Sequence, residues 1–214
     1  MKKYTHLIWD FNGTILNDVA HSMECTNCLL RERDLPVIPD LDTHRDRELF
    51  PIIESYRALG FDFEKEDYYT VLAPQWVALY KAGEHLCDTQ HGVRETLALV
   101  KEMGIDQLVL SASQRQLLSE QLDRLGITGC FSEILGLDNI YAGSKTEIAI
   151  AWRRQHPDAV PLLVGDTHHD AETAEAMGAD CVLYTGGHQS KKRLSEYGKP
   201  LIDDIRDIVK YLES

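Results

Sequence analysis

Short, uninterrupted apolar runs that end on a polar residue recur along this chain, and they limit its fold more than any other feature. Leu7-Ile8-Trp9 runs into Asp10, Leu108-Val109-Leu110 into Ser111, and Leu162-Leu163-Val164-Gly165 into Asp166. Each run is strand-length, and its lack of polar alternation fits a sheet covered on both faces. Segments with helical spacing separate them, over residues 93–103, 114–125, 146–155 and 170–177, with weaker or shorter strands at 133–137 and 180–184 and a last helix over 203–212. Strands alternating with helices predict an α/β fold, a Rossmann-like parallel sheet with helices on both faces. Ligands of such sheets bind beyond the carboxyl ends of the strands, where Asp10, Ser111 and Asp166 fall. Ser113 is predicted to cap the helix that follows Ser111.

The segment between the first and second runs has another texture. Helical spacing over residues 17–33 stops at Pro36 and Pro39; two further helical stretches, 46–59 and 65–80, contain Pro51 and Pro74, which imply kinks or helix starts. Residues 18–88 are therefore expected to form an inserted all-α domain. Residues 1–17 and 89–214 make up the α/β core.

Charge and cysteine usage exclude several classes. With 22 basic and 35 acidic residues the net charge is −13, which disfavours nucleic acid and anionic membrane surfaces as partners. An anionic ligand needs local help from a metal or a few placed cations. The first apolar run is too short for a signal-peptide core or a membrane span, and the expected location is cytoplasmic. Five scattered cysteines argue against a disulfide framework, and Cys25-x-x-Cys28 has no second pair to complete a zinc site. Gly143-Ser144-Lys145-Thr146 lacks the earlier glycine of a nucleotide-binding P-loop.

The sequence Asp10-Phe11-Asn12-Gly13-Thr14, then Ser111, Lys145 and Gly165-Asp166-Thr167-His168-His169-Asp170, resembles the four motifs of the haloacid dehalogenase superfamily in order and approximate spacing. The helical insertion resembles the cap of its phosphoglycolate-phosphatase-like branch. The resemblance covers nearly the whole chain and implies a Mg2+-dependent phosphatase of a small phosphorylated metabolite; a monomer or homodimer is expected. It implies Asp10 as the nucleophile that forms an aspartyl phosphate. Metal would be held by Asp10, the backbone carbonyl of Asn12, Asp166 and Asp170. Phosphate would be held by Thr14, Ser111, the backbone at Ala112, and Lys145. Phosphoryl transfer relies on such positioning and charge stabilisation, and Mg2+ suits hard oxygen ligands. Taken singly, the same residues also read as turn formers, helix caps and a solvated lysine.

Asn12 departs from the family, whose phosphatases carry a second aspartate there as general acid and base. An amide cannot exchange a proton near neutral pH, and such assistance is typically worth about 10²–10⁴-fold in rate. Several explanations stand open: a slow phosphatase or one for good leaving groups such as aryl or acyl phosphates, a phosphate-binding pseudoenzyme, an engineered substitution, or deamidation at Asn12-Gly13. A metal-independent haloacid dehalogenase is a further alternative, opposed by the retained Asp166 and Asp170. Arg45 and Arg47, with His44 and Arg57 nearby, are the candidate substrate cations of the cap, while His168 and His169 read as pocket lining. Motion between core and cap is expected around residues 17–19 and 88–91.

Overall fold

The computed structural model describes residues 4–213. Residues 1–3, assigned above to the core, lie outside the described residues, as does residue 214. Six strands, β1 (His6–Trp9), β2 (Asp106–Gln114), β3 (Glu133–Leu137), β4 (Pro161–Gly165), β5 (Asp180–Tyr184) and β6 (Leu201–Ile202), form one sheet in the order β3-β2-β1-β4-β5-β6. Every pairing is parallel. The chain leaves β1 in one direction to build β2 and β3, and in the other to build β4, β5 and β6. The switch point, where a doubly wound sheet opens a crevice, therefore lies between β1 and β4. Asp10 and Asp166 are the first residues past those two strands.

Strand alternation sorts the apolar side chains into two layers. Leu7, Trp9, Leu162 and Val164 pack on one face with Val93, Leu97, Leu118, Leu122 and Ile208. Ile8, Leu108, Leu110 and Leu163 pack on the other with Ala149, Trp152, Ala171 and Ala174. The first face is thus covered by α5 (Val93–Glu102), α6 (Arg115–Leu125) and α10 (Ile208–Leu212), the second by α7 (Thr146–Gln155) and α8 (His168–Met177). This two-sided cover is why the strands carry no polar alternation.

The helical block comprises α1 (Val19–Glu32), α2 (Leu41–Arg47), α3 (Ile52–Ala58), a π-turn at Tyr68–Leu72 and α4 (Ala73–Gly83). It buries a third cluster of its own around Leu29, Leu30, Tyr56, Tyr68 and Leu72. Pro51 precedes α3 and Pro74 lies in the first turn of α4, where a missing N–H costs nothing. The helical stretch expected over 46–59 is broken at its proline, as Pro51 implied: α2 ends at Arg47 and α3 starts directly after Pro51. Among the described residues, α2, α9 (Lys191–Ser195) and β6 are short elements that were not predicted. Ser113 does not cap α6; β2 runs on through Gln114, which precedes the helix.

Candidate active site

The turn after β1 sets the floor of the site. Gly13 has φ +77°, and Phe11 O accepts from both Ile15 N and Leu16 N, so the chain reverses at once. A Cβ at Gly13 would collide with the Asp166 carboxylate, which keeps the two strand ends in contact. Gly187, in the loop after β5, approaches Asp166 as closely. Asp166 then accepts from Thr14 Oγ1 at 2.9 Å and from His188 N at 2.6 Å. Thr14, expected to meet phosphate, donates its hydroxyl to Asp166 and is fully buried, outside the cavity lining.

Lys145, just ahead of α7, reaches across the strand ends. Its ammonium pairs with Asp10, lies 2.6 Å from Asp170 Oδ1, and donates to Leu110 O at 3.2 Å. It is 2% exposed, so these pairs are not diluted by solvent. Asp170 uses its other oxygen on the backbone N–H groups of Asp166 and Thr167 and on the Thr167 hydroxyl, closing a capping box on α8. The capping reading and the lysine partnership hold together at this one side chain.

Three carboxylates, Asp10, Asp166 and Asp170, bring an oxygen each within 4.8 Å of one another. Burial pushes Asp10 well up and Asp166 up to about 6, with neighbouring carboxylates adding to both. Burial also works upward on Asp170, but Lys145 and Thr167 hold it below the usual range. Lys145 is raised despite burial, by Asp10 and Asp170, and so carries its charge. One ammonium against three buried carboxylates leaves an excess of negative charge aimed at one point. An all-oxygen donor set of this kind suits a hard divalent cation such as Mg2+.

On the β2 side, a register irregularity between Leu110 and Gln114 frees Ser111, Ala112 and Ser113 from pairing, as bulges beside active sites do. Ser111 and Ala112 line the cavity beside Asp10, where the sequence placed them, and Ser113 Oγ donates to Asn12 Oδ1 at 2.8 Å. The amide of Asn12 donates to Asp18 Oδ2 at 2.7 Å and to Tyr80 Oη at 3.1 Å. Asp18, 1% exposed, also accepts from Gly13 N, Tyr80 Oη and the His188 ring. His188 continues to His44 at 3.4 Å. Asp18, Tyr80 and His188 were missed in the sequence. His188 follows β5 at the same carboxyl edge and was within reach of that rule; Asp18 and Tyr80 carried no signal.

The cations expected from the helical block do not enter the cavity. Arg45 donates to the carbonyls of Gly187 and Gly186 at 2.8 and 3.2 Å, and Arg47 lines a separate groove with Arg193. Arg57 pairs with Glu54 at the surface. His168 bonds Gln189 and stacks on Tyr197, away from the cavity, whereas His169 lines it and stacks on Phe50. The cavity, about 180 Å3, extends from Asp10 into the helical block.

A doubly wound parallel sheet with a lysine-paired aspartate and two further buried carboxylates at its switch point defines a Rossmann-like α/β protein with an acidic site at the strand ends. The chain belongs to the haloacid dehalogenase-like hydrolases, whose family pattern matches residues 7–184. It is similar to the phosphoglycolate phosphatase of Pseudomonas syringae pv. syringae, 24% identical over 213 residues, covering 95% of this chain and 78% of that one. A phosphoglycolate phosphatase of Pseudomonas putida is 27% identical over 161 residues, covering 72% of this chain and 59% of its own length. A haloacid dehalogenase-like family protein from Streptococcus pneumoniae shares the fold with TM-score 0.82 at 16% identity and 99% coverage of both chains. Protein Tyrosine Kinase A of Mycobacterium tuberculosis also has TM-score 0.82, at 21% identity and 100% coverage of both chains. A kinase and a hydrolase on one fold mean that activity must be argued from the site. Among the described residues no helix is long and apolar enough to cross a membrane.

Proposed function

We propose that the protein is a Mg2+-dependent phosphatase of small phosphate monoesters, the kind of activity named for its phosphoglycolate phosphatase relatives. The observation that carries this reading is Lys145 joining Asp10 and Asp170 beside Asp166 at the sheet's switch point. Asp10 Oδ attacks phosphorus to give an aspartyl phosphate, and water then releases phosphate from it. Lys145 holds Asp10 and offsets charge on the transferring group, with Ser111 and the Ala112 backbone as donors to its oxygens. Asp10, Asp166, Asp170 and the Asn12 carbonyl would hold the metal, which when bound neutralises the approach of two anions.

Helices α1 to α4 act as a cap over this centre. Contacts on two sides support that role: Gln189 Nε2 and the Arg193 guanidinium donate to Glu48 O, and Tyr68 Oη donates to Tyr141 O. Closing them excludes water from the transfer.

Phosphate release from a panel of small monoesters tests the proposal. Asp10→Asn and chelation should each abolish release; turnover that survives either one rejects the mechanism. The amide at Asn12 favours a second reading, a phosphate-binding protein with little turnover. That reading requires phosphate binding without release from any ester, aryl phosphates included.

A further inference from the structure

The cavity above Asp10 is lined on its helical side by an apolar and aromatic wall. Phe50 and Ile52 enter from the α2–α3 connection and the start of α3, Tyr56 and Leu59 from the rest of α3 and its end, and Trp76 from α4. Trp76 is fixed by stacking on Tyr80, centroids 4.9 Å apart and planes 20° apart, and by its Nε1 bond to Thr26 Oγ1 at 3.2 Å. At about 180 Å3 the space is small. An apolar cavity of about 150 Å3 already accepts a benzene ring.

The charges around this space are arranged against a second anion. Among the described residues, its lining holds one lysine and three histidines, Lys145, His44, His169 and His188, of which Lys145 is engaged by Asp10 and Asp170 and His188 by Asp18. His44 faces His188 and lies 3.9 Å from Glu48, and His169 is stacked flat on Phe50. Arg45 and Arg47 point elsewhere. Asp18 and Glu48, in contrast, line the cavity. A carboxylate on the leaving group would be desolvated there with no cation to meet it, beside groups of its own sign.

The third observation is Asn12. Both ends of its amide are occupied, by Asp18 and Tyr80 on the nitrogen and by Ser113 on the oxygen. A leaving group that departs without receiving a proton from this position suits the site best.

We infer that the preferred substrates are phosphate monoesters of uncharged aryl alcohols, phenol-type leaving groups that fit a ring-sized cavity without a cation. The inference rests on the phosphatase reading above and narrows its substrate class. Asp10 Oδ forms a bond to phosphorus as the phosphorus–aryl oxygen bond breaks, and the electron pair leaves on the phenoxide. Water then attacks phosphorus, the bond to Asp10 breaks, and the proton that the water loses neutralises the phenoxide through solvent. Ester and water thus give phenol and phosphate.

The test compares phenyl phosphate with 4-carboxyphenyl phosphate and 2-phosphoglycolate on the whole chain with Mg2+. The first two leave with similar ease, so their ratio reads recognition. Phenyl phosphate should exceed 4-carboxyphenyl phosphate at least tenfold in kcat/KM, and 2-phosphoglycolate by more. Trp76→Ala should raise KM for phenyl phosphate about tenfold with little change in kcat, and Trp76→Phe should restore it. Equal or better use of either carboxylate ester overturns the substrate class and leaves the phosphatase reading standing. No Asp10-dependent release from any of the three overturns both. The comparison on the unaltered chain decides the matter even where a Trp76 variant fails to fold.

Discussion

Asn12 Nδ2 stands 2.7 Å from the buried Oδ2 of Asp18, so the amide that departs from the family pattern is matched to a carboxylate six residues on. Two carboxylates at that spacing cannot both ionise. Asn12→Asp should therefore hold a proton between residues 12 and 18 and lose about 1–3 kcal/mol at neutral pH, since the amide donor to a buried acceptor is gone. The shared proton gives a raised carboxyl pKa in the folded state, so the penalty should shrink as pH falls towards the ordinary carboxylate range. Asn12→Asp with Asp18→Asn restores a donor and an acceptor, and urea denaturation of the four chains should show the pair recovering most of the loss. Additive losses would show that the two side chains do not read each other.

How much of this was legible follows from where the partners lie. Asp10, Ser111 and Asp166 each end an apolar run, and a parallel sheet gathers strand ends at one edge, so their meeting was readable from patterning alone. Lys145 had no such mark; a lysine ahead of a helix is ordinary, and the four-motif resemblance was what singled it out. Asp18 and His188 are 170 residues apart, and nothing local in either neighbourhood announces a buried pair. Arg45 misled because a cation in an acidic helical block looks available, whereas the carbonyls of Gly186 and Gly187 take it up. The Thr14 hydroxyl, expected at the phosphate, is taken up in a similar way by the metal-ligand candidate Asp166, one strand over.

The Asp18–His188 pair should leave a mark on stability. Burial works against the His188 imidazolium, but its hydrogen bond and charge contact with Asp18, aided by Asp166 and Glu48, carry it from 6.5 up to about 10. A raised pKa of this sign stabilises fully below the unfolded value of 6.5 and is lost as pH climbs through about 10. Burial works upward on Asp18, and His188, Tyr80 and Asn12 overcome it, so its contribution is present above 3.8 and lost at lower pH. Removing one partner of a buried pair costs about 3–5 kcal/mol. The stability gap between the native chain and His188→Gln should have that order at about pH 5–6 and narrow by about pH 10. A gap independent of pH would mean the ring serves only to fill space.

Gly187 offers a purely steric test. Its Cβ would overlap the Asp166 side chain at Cβ, Cγ and Oδ2, whereas one at Gly143 meets nothing within 4 Å. Gly187→Ala must displace Asp166 or the loop that carries His188, at a cost of about 1–3 kcal/mol. Turnover should fall at least about tenfold through the displaced carboxylate, since ångström-scale misplacement is felt strongly in catalysis. Gly143→Ala should leave both stability and turnover near native values. Equal behaviour of the two variants, by thermal melting and phosphate release, would exclude Asp166 packing as the constraint.

The excess negative charge around Lys145 predicts how the fold answers to metal. A ligand at about 100 times its dissociation constant stabilises by about 2.7 kcal/mol, and in a chain of this size each kcal/mol moves the melting point by about 2–4 °C. Mg2+ should thus raise Tm by about 5–10 °C over chelator, and Asp166→Asn should remove most of that rise. Lys145→Met separates the lysine from the metal. Without its ammonium, Asp10 and Asp170 lose the cation they share and only the His188 imidazolium, beside Asp166, remains near the three carboxylates, so the chelated variant should melt well below the native chain. A divalent ion then replaces the charge that Lys145 supplied, and the Mg2+-induced rise in Lys145→Met should exceed the native rise even though turnover is lost. Differential scanning calorimetry with Mg2+ and with chelator reads all three chains, and a Lys145→Met response smaller than native would show that Lys145 builds the metal site and does not merely balance its charge.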